Sequence, residues 1–196
     1  MFGGAGRPFG RGAHDTLAML DRWLRIGSAN TQFSFTCVLR PEVLDLVQST
    51  DVAMHLAACD ARLCPHLTRG LGARCSSDGL TLTAWMAASR GASLLRDIAS
   101  SGRVALVVSH METFQTVQLK GTDAAVIAID EAGLAAVAAY RDGFIRKATS
   151  LGYYAPMVRK LVESEPPDLV GVRFTPSSVF IQTPGPGAGE AIGVRA

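Results

Sequence analysis

The sequence predicts a mainly β fold with peripheral helices, built around an antiparallel barrel. Apolar and polar residues alternate over 51–58 (DVAMHLAA), as they do in a half-buried strand. The turns at 60–62 and 77–79 are too short for the crossover that parallel neighbours need. Helical spacing is confined to the two flanks and one middle segment, so the order is helices, strands, helices and a closing pair of strands.

The first elements are two short helices. Apolar residues at Leu17, Leu20, Trp23 and Leu24 follow a candidate cap at Asp15, which predicts an amphipathic helix over 14–26. A second helix begins at Pro41 and ends near Ser49, since proline is favoured in a first helical turn. We expect residues 1–40 to form a flexible extension with a short helix, and 41–196 to form one domain.

Strands follow over 51–58, 63–73 and 80–85, with Gly70 and Gly72 marking a bend in the second. Ser89 is a candidate cap for a helix that buries Leu94, Leu95 and Ile98. Further strands are predicted over 103–109 and 113–129, the second bent at Gly121. A helix from Asp130 to about Ser150, a shorter one over 157–162, and strands over 169–175 and 178–183 complete the fold, and the glycine- and proline-rich tail predicts no regular structure.

The composition is that of an ordinary globular protein. Hydrophobic residues make up 48% and charged residues 18% of the 196 residues, and the net charge is +2. Basic residues are scattered, so the chain lacks the basic run that tracks a nucleic acid backbone. No stretch approaches the roughly 20 apolar residues of a membrane span, and the amino terminus lacks a signal-peptide core. The cytoplasm is the expected compartment.

The four cysteines predict reduced thiols. Cys59, Cys64, His66 and Cys75 could in principle bind zinc, but the spacing lacks the glycine turn of a zinc knuckle. Small buried cysteines on neighbouring strands are the favoured interpretation, and no metal site is predicted.

Conventional catalytic signatures are missing: there is no nucleophile elbow, zinc-protease helix or Walker loop. Polar residues instead cluster within otherwise apolar strands, including two glutamines, two threonines and a lysine in METFQTVQLKG (111–121). At the predicted helix start, Ser89 and Arg90 would offer a hydroxyl, a guanidinium and free amides to a phosphate. Taken alone, this pair is also compatible with a cap and a solvated arginine.

Five motifs in order resemble the pyridoxamine 5′-phosphate oxidase-like proteins, a family of flavin-binding split barrels. They are PHLTRGLG (65–72), DGLTLT (78–83), ASRGASLLRDI (88–98), RVALVV (103–108) and FQTVQLKGTDA (114–124). The resemblance covers roughly residues 51–129, and the ending FTPSSVFIQTPGPGAG (174–189) resembles the closing strands of one bacterial branch. It implies a six-stranded antiparallel split β-barrel that forms a homodimer, with FMN in a groove between the subunits.

Carried over by position, the resemblance assigns cofactor-binding residues from four regions of the chain. Thr68, Arg69 and Gly70 would line the flavin, Thr83 and Ala84 would approach its ring edge, and Ser89 and Arg90 would hold its phosphate. Thr116 and Gln118 would reach the cofactor from the partner subunit. Such side chains would then hydrogen-bond a ring system or pair across the dimer.

Two departures bear on the activity. The oxidases commonly carry a basic residue after the serine–arginine pair, where this chain has Gly91, and they end in an Arg-X-His segment that is missing here. The resemblance therefore predicts an FMN-dependent oxidoreductase of unknown substrate. The alternative is a non-catalytic binding module on the same fold, either cofactor-free or binding haem or a deazaflavin; His55, His66 and His110 are the candidate haem ligands.

Overall fold

The computed structural model describes residues 39–192, which form two antiparallel sheets with helices around them. The ten strands are β1 (Val52–Cys59), β2 (Pro65–Arg69), β3 (Ala73–Cys75), β4 (Leu82–Ala87), β5 (Val104–His110), β6 (Thr116–Gly121), β7 (Ala125–Ala128), β8 (Leu169–Phe174), β9 (Ser178–Ile181) and β10 (Ala191–Ile192). The larger sheet has the order β10-β9-β6-β5-β1-β2, and the smaller one β3-β4-β8-β7. The predicted mainly β, antiparallel fold is confirmed.

The two sheets do not close into one hydrogen-bonded sheet, but the chain passes from one to the other at marked corners. At the first corner, between β2 and β3, the Gly70 amide donates to the Met54 carbonyl in β1 and the Leu71 amide to the Trp85 carbonyl in β4. At the second, between β6 and β7, the Ala124 amide donates to the Gly102 carbonyl. The bends predicted in these two long strands are therefore present, and they give the six-stranded barrel its split form.

Gly70 is required at its corner by a close approach of backbones. A Cβ atom there would lie 2.9 Å from the Met54 Cβ, closer than side chains pack. Gly121 is required at the second corner, where a Cβ atom would lie 2.5 Å from Cδ2 of the buried Phe174 ring.

The core lies between the sheets and follows the predicted alternation. In β1 every second residue is fully buried, and the intervening residues are half-buried on the opposite face. The inward residues of β1 pack with those of β4, β5, β6 and β8 in a single cluster. The half-buried face of the larger sheet carries His55, Val107, Gln118 and Phe180 in register on adjacent strands.

Within residues 39–192, four α-helices surround the sheets: α1 (Pro41–Gln48), α2 (Ala92–Ser101), α3 (Glu131–Ser150) and α4 (Ala155–Val162). A short 3₁₀ helix, Pro166–Asp168, leads into β8. Helix α3 begins at Asp130, whose carboxylate accepts the Gly133 amide. It is fastened to β1 by the buried Tyr140 hydroxyl, which donates to the Val52 carbonyl at 2.8 Å.

Most predicted elements are present, but Ser89 does not cap α2. Gly91, two residues after Ser89, occupies the cap position, and the helix begins at Ala92. Ser89 lies in the preceding turn, where it is hydrogen-bonded to Asp168. The glycine- and proline-rich tail, 184–190, has no helix or strand, as predicted, and the two-residue strand β10 that follows it pairs with β9. The helix predicted over 14–26 lies outside the described residues. Among residues 39–192, none of the helices has the length and apolar character needed to span a bilayer.

Candidate functional site

A groove of about 330 Å³ lies between strand β2 and the start of helix α2. Its walls are Pro65, His66 and Leu67 on one side and residues 89–94 on the other. None of these residues is acidic, and they include the Arg90 guanidinium and the first-turn backbone of α2. The amides of a first helical turn have no partner within their own helix and favour a negative charge. The groove is therefore suited chemically to an anionic group.

The floor of the groove is packed against Gly91. A Cβ atom at this position would lie 2.0 Å from Met86 Cε and 3.2 Å from Thr68 Cγ2, and both of those residues are buried. This packing accounts for the departure from the family pattern, since a basic side chain at Gly91 would collide with the core. Thr68, predicted to line the flavin, lies directly beneath this turn.

Ser89 already has an intramolecular acceptor for both of its donors. Its amide donates to Asp168 Oδ1 at 2.8 Å, and its hydroxyl donates to Asp168 Oδ2 at 2.6 Å. These hydrogen bonds, the one from the hydroxyl first, hold the pKa of the Asp168 carboxyl below its ordinary value. The carboxylate thus makes the contacts that the sequence assigned to a phosphate, and Ser89 can bind a phosphate only if this link opens.

Arg90 is exposed beside the groove and anchored at one end. Its Nη1 donates to the Leu161 carbonyl at the end of α4, at 3.0 Å. A guanidinium has five N–H donors in a planar fork, so this single bond leaves donors for an anion. The anchor also restricts the side chain, which reduces the entropy that an anion contact would cost.

Arg69, in contrast, lies against helix α3. Its guanidinium carbon is 5.3 Å from the centre of the Phe144 ring, and its Nη1 is buried with no hydrogen-bond partner. Burial, and after it the Arg69 charge, lowers the pKa of the neighbouring His55. Arg69 does not line the groove, and Thr68 and Arg69 point to opposite faces of β2, as neighbours in a strand must.

The other predicted residues are also separated from the groove. Gly70 lies at the corner after β2, and Ala84 is fully buried in the core. Thr83 lies on β4 in the smaller sheet, with its side chain close to Gly171 on the neighbouring strand β8. Thr116 and Gln118 lie on β6, three strands from β2 in the larger sheet, or about 14 Å at the usual strand spacing. Of the nine, Ser89 and Arg90 line the groove and Thr68 lies under it.

The polar hairpin residues satisfy one another within the sheet. The Thr116 hydroxyl contacts Ser109 Oγ and the Phe114 carbonyl, each at 2.9 Å, and its amide donates to Thr183 Oγ1. Gln118 is half-buried, and its Oε1 accepts from Gln182 Nε2 at 3.5 Å. Burial lowers the pKa of Lys120 to about 8, and its ammonium lies 4.6 Å from the centre of the Phe180 ring.

Two acidic residues at the site are missed by the sequence interpretation. Asp97 lies in α2 on the helix face of Leu94 and Ile98, and its carboxylate is 2.6 Å from His66 Nδ1. A charged residue at a buried helical position is a signal that the periodicity could have revealed. Asp168 follows two prolines in a loop, and its pairing with a residue 79 positions away has no local signal.

The described residues contain no cluster of three histidine, cysteine or acidic side chains with the geometry to bind a metal ion. Cys59 and Cys75 are half-buried and Cys64 is exposed, all as free thiols. Burial is the main factor that raises the pKa of the Cys59 and Cys75 thiols.

A scan against family models finds no match, and a search of curated proteins finds none either. Solved structures do resemble the chain. One is a putative pyridoxamine 5′-phosphate oxidase from Lactobacillus delbrueckii, 19% identical, with a TM-score of 0.45 over 76% of this chain and 97% of that one. Another is an F420 reductase, 16% identical, with a TM-score of 0.46 over 71% and 98%.

A third is a protein from Nostoc punctiforme described as pyridoxamine 5′-phosphate oxidase-related and FMN binding. It is 14% identical, with a TM-score of 0.43 over 79% of this chain and 98% of that one. The structures similar to this chain thus include pyridoxamine 5′-phosphate oxidase-like proteins, the family that the sequence motifs resemble.

Proposed function

We propose that the protein is an FMN-binding oxidoreductase of the pyridoxamine 5′-phosphate oxidase-like family. The observation that carries the proposal is the groove between β2 and α2. It brings two of the five family motifs, PHLTRGLG and ASRGASLLRDI, to opposite walls of one cavity whose lining residues include no acidic one. The phosphate monoester of FMN is the part of the cofactor that this donor set suits.

Arg90 is the main phosphate ligand in this proposal. Its remaining guanidinium donors and the first-turn amides of α2 would hold the phosphate, with charge-assisted hydrogen bonds from the arginine. Ser89 joins them when its link to Asp168 opens. The chain thus binds and orients the cofactor, and the flavin, when bound, supplies the hydride and electron chemistry.

The ring-facing residues require a second copy of the chain. Thr116 and Gln118 lie on β6, away from the groove, so they reach a cofactor bound there only from a partner subunit. Gln118 is the better candidate, because the hydroxyl and amide of Thr116 are already bonded within the sheet. The proposal therefore includes a homodimer, and light scattering that gives a monomer mass at micromolar concentration would count against it.

The Arg90→Ala variant tests the phosphate site. Loss of one charge-assisted hydrogen-bond donor costs about 1.5–3 kcal/mol, which weakens FMN binding about 10- to 100-fold. Arg146→Ala is the matched control, since Arg146 is an exposed arginine on α3 that does not line the groove. Binding is measured by quenching of flavin fluorescence. Equal FMN affinity in the two variants would remove Arg90 from the site.

A cofactor-free binding module is the second candidate function. The observation in its favour is the link between Ser89 and Asp168, which occupies donors that the resemblance assigns to FMN phosphate. The Asp168→Asn variant separates the two functions. We expect it to bind FMN at least as tightly as the parent protein, because an acidic competitor for the serine donors is removed. Failure of both proteins to bind FMN would favour the cofactor-free module.

A further inference from the structure

His66 and Asp97 form a partly buried pair at the groove wall that none of the site assignments above uses. His66 Nδ1 lies 2.6 Å from Asp97 Oδ2, joining β2 to α2. The Asp97 side chain is 8% exposed, whereas that of His66 is 39% exposed and lines the groove. A buried carboxylate is costly without a partner, so this contact holds the imidazole in one orientation.

The contact also determines which ring nitrogen faces a ligand. An ionised carboxylate only accepts hydrogen bonds, so Nδ1 carries a proton and donates to Asp97. The remaining nitrogen, Nε2, has no hydrogen-bond partner among residues 39–192. In a neutral imidazole Nε2 is an acceptor, which repels a phosphate oxygen, whereas in an imidazolium it is a donor.

Charges of both signs surround the imidazole and the groove, and Arg90 lies within electrostatic range of the Asp168 and Glu163 carboxylates. Asp97 on α2 and Asp60 in the β1–β2 turn interact with the imidazole, and Arg90 lies on the facing wall. Arg103, which precedes β5, is within electrostatic range of Cys59 at the end of β1, as are both aspartates. The two carboxylates lie outside the groove lining, so they balance an imidazolium without occupying the anion position.

We propose that His66 is a proton-linked ligand for a phosphate monoester, with Asp97 as its positioning residue. A proton leaves a buffer acid and adds to the Nε2 lone pair, and the new N–H donates to a phosphate oxygen. The imidazolium then bridges the Asp97 carboxylate and the phosphate dianion. This inference rests on the proposed function, because the phosphate in question is that of FMN in the same groove. The hydrogen bond from His66 requires only a phosphate group.

The test is titration calorimetry at about pH 8, where a phosphate monoester is mostly dianionic. FMN and inorganic phosphate are each titrated in two buffers of different ionisation enthalpy, which reveals the protons taken up on binding. The variant is His66→Asn, whose amide replaces Nδ1 and can still donate to Asp97 but has no Nε2. The control is His110→Asn, at a histidine outside the groove whose Nδ1 accepts the Glu112 and Thr113 amides.

We expect the parent protein and the His110→Asn control to take up a proton with either titrant. The His66→Asn variant should take up none and should bind about 10-fold or more weakly, as loss of a charge-assisted hydrogen bond implies. Asp97→Asn should also reduce the uptake. A purely structural role for the pair would change stability but leave proton uptake unaltered, and equal uptake and affinity in His66→Asn would overturn the proposal.

The two titrants separate this inference from the function on which it rests. Binding of FMN without His66-dependent proton uptake would leave the flavin proposal intact and refute the role of His66. Binding of phosphate with His66-dependent uptake, but no binding of FMN, would support His66 and refute the flavin proposal. Binding of neither titrant would refute both.

Discussion

Substitution of Gly91 by alanine tests the packing that forms the floor of the groove. The backbone at Gly91, with φ −117° and ψ 21°, avoids the left-handed region, so alanine by itself brings no strain of that kind. In open space the change would stabilise the protein by about 0.4–1 kcal/mol through the unfolded chain. The new methyl would instead lie 2.0 Å from Met86 Cε and 3.2 Å from Thr68 Cγ2.

Both neighbours are buried, but Met86 Cε is the end of a flexible side chain, so movement of that side chain relieves the clash at a cost in the lower part of the overpacking range, about 1–2 kcal/mol. We expect Gly91→Ala to lower the free energy of unfolding by up to about 1.6 kcal/mol after the backbone gain, or Tm by up to about 6 °C. Urea unfolding of Gly91→Ala, Met86→Ala and the double variant forms a thermodynamic cycle. In the Met86→Ala background the alanine should be neutral or stabilising, and stabilisation by Gly91→Ala alone would refute the packing argument.

Three further predictions concern hydrogen bonds and charges near the site. Tyr140→Phe should cost about 1–3 kcal/mol in urea unfolding, because a backbone carbonyl of β1 loses its buried donor, and an unchanged midpoint would contradict this. Ser89→Ala should raise the pKa of Asp168 towards its ordinary value in a carboxyl NMR titration. The stability that the ionised carboxylate contributes at neutral pH, and that is lost as the pH falls through its pKa in the folded protein, should then be smaller. An unchanged pKa would show that the hydrogen bond is not formed. Arg69→Met should raise the pKa of His55 yet leave it below 6.5, because burial is the larger cause of its shift, and a fall in that pKa would contradict the assigned charge effect.

The order of the strands and helices can be predicted from the sequence because each element has a local pattern of apolar and polar residues. The alternation in DVAMHLAA and the turns around it predict β1 and its neighbours, and the spacing of apolar residues predicts α3. The two bends predicted at glycines occur because a side chain at either Gly70 or Gly121 would collide with the core. The alternation, the turns and the helical spacing depend on residues that are close in the chain, whereas the close contacts at Gly70 and Gly121 are with Met54 and Phe174, which are distant in the chain.

Contacts between segments of the site that are distant in the chain could not be predicted from local sequence patterns. Asp168 meets Ser89 across 79 positions, and Arg69 turns to Phe144 on a helix 75 positions later, which its place in β2 does not indicate. The sequence likewise makes Ser89 a plausible cap, although the close packing of Gly91 on Met86 moves the helix start beyond it. The motif ASRGASLLRDI predicts that Ser89 and Arg90 lie at the start of a helix, and they lie in the turn before α2, but their partners are set by tertiary packing.

Equilibrium titration with FMN and with riboflavin tests the central claim most directly, since the two flavins differ only in the phosphate. If the groove between β2 and α2 holds that phosphate, FMN should quench and saturate at micromolar concentration or below, and riboflavin should bind at least about 10-fold more weakly. Equal affinity for the two flavins would place the cofactor elsewhere on the fold. Binding of neither flavin would contradict the flavin-dependent function.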